Sequence, residues 1–187
     1  MSNISPGGWT NWSFDLTPEA NQIFEAALDG ILGVEYTAMA FSTRPIPGGN
    51  YVFLCTAAAI TNPPITRLAL VYATSTPKPA LEDIKILPLD INGEPGGFSS
   101  LEAPPSATDQ KLFEDALEDI IGVEYTPKAV SSQVVSSATN YQFVAKAVMV
   151  MPDLPVFAGL VRIVADGSNP PEVKNIQRIL QTGEIGQ

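Results

Sequence analysis

The sequence predicts an α+β protein of two similar units, each with one helix packed on a four- to five-stranded antiparallel sheet. Three observations carry this. A long stretch of the chain recurs at constant spacing. Each copy opens with a helix-start signal and a single apolar stripe. Each stripe is followed by four β-rich runs separated by turn residues.

The recurrence is read residue by residue. Pro6-Gly7-Gly8-Trp9 returns as Pro95-Gly96-Gly97-Phe98, Phe24-Glu25 as Phe113-Glu114, and Ala27-Leu28 as Ala116-Leu117. Gly33-Val34-Glu35-Tyr36-Thr37 returns as Gly122-Val123-Glu124-Tyr125-Thr126, and Asn50-Tyr51 as Asn140-Tyr141 after one inserted residue. Units of about 90 residues are too large for solenoid repeats and suit small domains. The expected domains are 1–92 and 93–187, with the boundary near Asn92-Gly93-Glu94.

Each helix has a start. Thr17-Pro18-Glu19 supplies a hydroxyl N-cap, a proline at N1 and an acid near the positive end of the dipole. Ser106 with Asp109 three residues on reads as a capping box. Phe24, Ala27, Leu28 and Ile31 then follow helical spacing, as do Phe113, Ala116, Leu117 and Ile120. Gly33 and Gly122 are the expected helix ends. Strands are expected over Tyr36–Ile46, Tyr51–Thr61, Arg67–Ala73 and Leu81–Leu87, then over Val123–Val135, Tyr141–Met151, Val156–Val164 and Val173–Leu180. Pro47-Gly48-Gly49-Asn50 marks the first hairpin and Ser75-Thr76-Pro77-Lys78-Pro79 the next turn. One helix over such a meander completes a two-layer core.

Composition narrows the function. The 187 residues carry 10 basic and 20 acidic side chains, a net charge of -10, which disfavours nucleic acid and anionic membrane as partners. No apolar run approaches the roughly 20 residues of a membrane span. The first residues lack a basic and then apolar leader, so a soluble chain is expected, either cytoplasmic or the mature form of a secreted protein. Histidine is absent and Cys55 is the single cysteine. That removes the usual general base, the Ser-His and Cys-His dyads, thiolate metal cages and internal disulfides. No metal or other cofactor is expected. Asp83 or Glu35 would be candidate acids, but no catalytic constellation surrounds them. The chain therefore reads as a binding protein and not an enzyme.

The hairpins carry a family resemblance. Ser132-Gln133-Val134-Val135-Ser136-Ser137-Ala138-Thr139-Asn140-Tyr141 resembles the Gln-Val-Val-Ala-Gly-Thr-Asn-Tyr hairpin of the cystatins, with its QxVxG core, and Thr43-Arg44-Pro45-Ile46-Pro47-Gly48-Gly49-Asn50-Tyr51 is its counterpart. Glycines stand before each helix, as Gly7-Gly8 and Gly96-Gly97. The resemblance implies two tandem cystatin-like domains. It also implies inhibition of papain-like cysteine proteases by a wedge made of a glycine trunk and two hairpins. On the first copy, the wedge falls on Gly7 or Gly8 with Trp9, on Arg44 in place of glutamine, on Ile46, Pro47, Gly48 and Gly49, and on Pro77 in the second hairpin. On the second copy, it falls on Gln133, Val135 and Ser137, the last standing where the family has glycine. The tryptophan common in the second hairpin is missing from both. The alternative is a structural or protein-interaction module without inhibitory activity. Plainer readings stand beside these: Gly48-Gly49 as a tight turn, Gly7-Gly8 as a tail, Trp9 and Trp12 packed on their own domain, and Cys55 as a buried core thiol.

Overall fold

Thr17 starts the first helix: its side chain accepts a hydrogen bond from the Ala20 amide at 3.1 Å, and α1 runs Pro18–Leu28. Ser106 does the same for α2 (Ala107–Leu117), accepting from the Asp109 amide at 3.2 Å while its hydroxyl donates to the Asp109 carboxylate at 2.6 Å. Both helices stop earlier than the apolar spacing predicts. Gly30, with φ +84°, follows the Asp29 cap, so Ile31 lies outside α1 and is 39% exposed. The i+7 member of the stripe thus belongs to the following loop, and Gly33 turns the chain into the first strand.

The computed structural model describes residues 8–89, 91, 96–150 and 156–186. The chain divides into two compact units, Met1–Leu87 with Gln181–Gly183, and Pro88–Leu180 with Glu184–Gln187. Unit 1 holds β1 (Val34–Arg44), β2 (Asn50–Ala59), β3 (Ile65–Thr74) and β4 (Ala80–Ile86), an antiparallel meander in the order β1-β2-β3-β4. Unit 2 holds β5 (Val123–Val135), β6 (Ala138–Met149), β7 (Val156–Ala165), β8 (Glu172–Ile179) and the short β9 (Ile185–Gly186), again in sequence order. The register shifts between Ala38 and Ala40 and between Tyr72 and Ala73 in unit 1. In unit 2 it shifts between Pro127 and Ala129 and between Arg162 and Ile163.

The fold class differs from the α+β expectation of two cystatin-like domains with one helix on each sheet. The protein is mostly β: strand takes 51% of the described residues and helix 13%, in two antiparallel sheets of four and five strands. The physical reason lies in the central strands. Phe53, Cys55, Val71 and Ala73 cluster with Ala20, Ile23, Phe24 and Ala27 of α1. Yet Val52, Leu54, Leu68 and Leu70, which point to the opposite face, are also fully buried. In unit 2, Phe143, Ala145, Val161 and Ile163 cluster with Phe113, while Val144 and Leu160 on the other face are buried too. Strands buried on both faces read as unbroken apolar runs and not as alternation, and Val52-Phe53-Leu54-Cys55 is such a run. A helix covering one face accounts for only half of this burial. Among the described residues, no helix is long and apolar enough to cross a membrane.

Candidate functional site

The first hairpin closes at the Arg44 and Asn50 pair and leaves residues 45–49 as its loop. The Gly49 amide donates to the Ile46 carbonyl at 3.0 Å. Gly48 and Gly49 take φ +106° and +57°, values that a residue with a Cβ rarely adopts. Gly49 is also a close approach. A Cβ there would lie 2.3 Å from the Ser75 Oγ, whereas one on Gly48 would meet nothing within 4 Å.

Ser75 belongs to the next turn and fastens it to the first. Its amide donates to the Gly49 carbonyl at 2.9 Å, and the Thr76 amide donates to the Gly48 carbonyl at 3.2 Å. The segment before α1 joins the same end of the sheet. The Thr10 amide donates to the Thr43 carbonyl at 2.8 Å, the Thr43 amide donates to Thr10 Oγ1 at 2.9 Å, and the buried Ser42 hydroxyl donates to the Thr10 carbonyl at 2.7 Å. The Trp9 ring packs on Tyr72 with centroids 6.3 Å apart. Burial, and after it the charge of Asp83, pushes the Tyr72 hydroxyl up to about 12.

Of the residues singled out from the sequence in unit 1, Gly8, Trp9, Arg44, Ile46, Pro47, Gly48, Gly49 and Pro77 all lie on these three segments. Pro47 and Pro77 are exposed, and Trp9, Arg44, Ile46 and Gly48 are half-buried. Gly7 lies outside the described residues. Sequence reasoning missed Thr10, Tyr72 and Ser75. Their partners lie tens of residues away, and only the small hydroxyl residues at 42 and 43 hint that a neighbouring segment needs polar partners.

In unit 2, the same end is built differently. The Ser99 amide donates to the Ser132 carbonyl at 2.8 Å, and the Ser131 hydroxyl donates to the Ser99 carbonyl at 2.6 Å. Gln133 is occupied: its Nε2 donates to the Gly96 carbonyl at 2.7 Å, and its Oε1 accepts from Asn140 at 3.3 Å. The inserted residue lengthens the ladder. Beyond the Gln133 and Asn140 pair, Val134 pairs with Thr139 and Val135 with Ala138. That leaves only Ser136, at φ +53°, and Ser137 at the tip, both exposed. Val134 and Val135 are exposed apolar side chains flanking it.

Cys55 is buried, and burial pushes its thiol well up, away from the reactive thiolate. Among the described residues, no three His, Cys, Asp or Glu side chains gather where they would hold a metal ion. No family model matches the chain, and no curated protein matches it.

Proposed function

We propose that the chain is a protein-binding inhibitor whose unit 1 inserts the end formed by Trp9, the 45–49 loop and the turn after β3 into a cleft of its partner. The observation that carries this is the pair of hydrogen bonds from Ser75 and Thr76 to Gly49 and Gly48, which make two loops one body. A pre-ordered edge loses little conformational entropy on docking, and so retains more of its contact energy as affinity. The resemblance of both hairpins to cystatins supplies the partner class, a papain-like cysteine protease. Inhibition then follows from steric cover of the catalytic thiol, with no bond made or broken.

Unit 2 is the weaker binder in this reading. Its Gln133 is spent on internal hydrogen bonds, and its tip is a two-residue turn. The test is titration of papain-like enzymes with the whole chain. Tight, reversible, stoichiometric loss of activity supports the proposal. If micromolar chain slows none of them, the interaction-module reading takes its place.

A further inference from the structure

At the far end of the unit 1 sheet from the hairpin loop, α1 leaves part of its own face uncovered. Its buried residues pack over Phe53, Cys55, Val71 and Ala73, and the chain leaves the helix at Leu28. The remaining strand positions on that face line a cavity of about 450 Å³, with Val34, Tyr36, Ala57, Ile65, Ile86 and Arg67 among its walls. The volume falls within the range of small-molecule sites. Its walls are apolar apart from Thr61, the Tyr36 hydroxyl and Arg67, which is the one charged group. The Arg67 side chain has no ion pair or hydrogen bond with any described residue.

Unit 2 shows what belongs in such a place. Tyr36, Ala57 and Arg67 stand side by side across three strands of unit 1, and Tyr125, Ala147 and Phe157 do so in unit 2. One step along, Ile86 pairs with Ala69, and Arg178 pairs with Gly159. Aromatic and cation are thus both supplied internally in unit 2. The Phe157 ring meets Tyr125 edge-on at 6.5 Å, and the Arg178 guanidinium lies 4.5 Å above the Phe157 ring. Unit 1 keeps the tyrosine and an arginine but has no ring to set between them.

We infer that the unit 1 groove binds a planar aromatic anion of one or two rings. The ring packs against Tyr36 and the apolar walls, supplying to unit 1 the aromatic group that Phe157 supplies in unit 2, and its carboxylate or sulfonate meets Arg67. Apolar burial supplies most of the affinity, and the guanidinium selects the charge. The inference stands independently of protease binding, because the groove and the hairpin loop lie at opposite ends of the sheet.

The experiment is isothermal titration of the full chain with 2-naphthoate, 2-naphthalenemethanol and octanoate. Naphthoate is expected to bind one to one, about tenfold more tightly than the neutral alcohol. Octanoate is expected to bind more weakly than naphthoate. Arg67→Gln should bring naphthoate and the alcohol to similar affinity. The double change Arg67→Phe with Ile86→Arg installs the unit 2 pair and should abolish saturable binding. Amide NMR spectra of both variants report folding, and Arg67→Gln alone still decides the matter if the double variant unfolds. Equal affinity of wild type for naphthoate and the alcohol overturns the inference. So does octanoate binding as tightly as naphthoate, unchanged binding in the folded double variant, or no binding to the folded wild type. A concentration-dependent dimer that buries the groove and excludes naphthoate also overturns it.

Discussion

Ser75 sits where a side chain on Gly49 would have to go: the Ser75 amide is 2.9 Å from the Gly49 carbonyl, and its Oγ would be 2.3 Å from any Cβ on Gly49. Gly48, next to it, faces open space. The two glycines look interchangeable in sequence and are not.

A double-mutant cycle separates them. Gly49→Ala incurs backbone strain and also forces the Ser75 hydroxyl to rotate away, whereas Gly48→Ala incurs strain alone. Ser75→Ala should therefore relieve part of the Gly49→Ala loss, with a coupling of about 1 kcal/mol in urea unfolding, and leave the Gly48→Ala loss unchanged. Equal coupling for both glycines would mean that the contact has no energetic weight.

The inhibitor reading makes a sharper demand on Gly48. Gly48→Arg places a long cation at the loop tip, where nothing within 4 Å resists its Cβ, so the sheet should survive while the tip no longer enters a cleft. Inhibition should fall by about two orders of magnitude or more, as for loss of a central contact. Ser137→Arg in unit 2, at an exposed two-residue turn, should change it little. Both variants are first checked by circular dichroism. A larger loss from Ser137→Arg transfers the binding end to unit 2.

Cys55 should be silent. It is fully buried beside Phe53, and burial disfavours its thiolate. In native protein at neutral pH, a thiol reagent should label it only as fast as the unit opens, and urea should accelerate labelling by several orders of magnitude. Immediate native labelling contradicts the packing described.

Tyr72 gives unit 1 an alkaline limit. Its hydroxyl donates to the Gln181 carbonyl at 2.6 Å and is pushed up to about 12, first by burial and then by Asp83. An unfolded tyrosine ionises near 10. The folded pKa is the higher one, so this contribution is fully present below about pH 10 and is lost as pH rises toward 12. Tyr72→Phe should be less stable than wild type at pH 8 and should lose less stability on going to pH 11. Parallel losses in the two proteins would remove Tyr72 as the cause.

Much of the local structure was legible in the sequence. Thr17 and Ser106 cap helices because their hydroxyls are placed to accept orphan amides, and Cys55 is buried because it alternates with Phe53 and Ala57. The helix ends were not. Ile31 and Ile120 continue the spacing by chance of composition into loops, and Gly30 ends α1 before the pattern does. The fold class was less legible. The expected two-layer core covers one face of each sheet, whereas Val52, Phe53, Leu54 and Cys55 are buried on both faces of β2, and a strand with one wet face alternates. The candidate site was legible as a set of segments but not as an assembly. Ser75, Tyr72 and Thr10 act through partners distant in sequence, and such pairings leave no periodic trace.

The doubly buried strand β2 has a consequence for the chain before it is folded. Tyr51 to Ile60 contains no charge, no proline and several strong β-formers, which is the composition of segments that stack into cross-β aggregates. In the finished protein both of its edges are taken by β1 and β3. During synthesis β1 emerges before β2 and β2 before β3, so until those partners close on it, a ten-residue uncharged ribbon is open to other copies of itself, and a hairpin slowed at the 45–49 loop would lengthen that exposure.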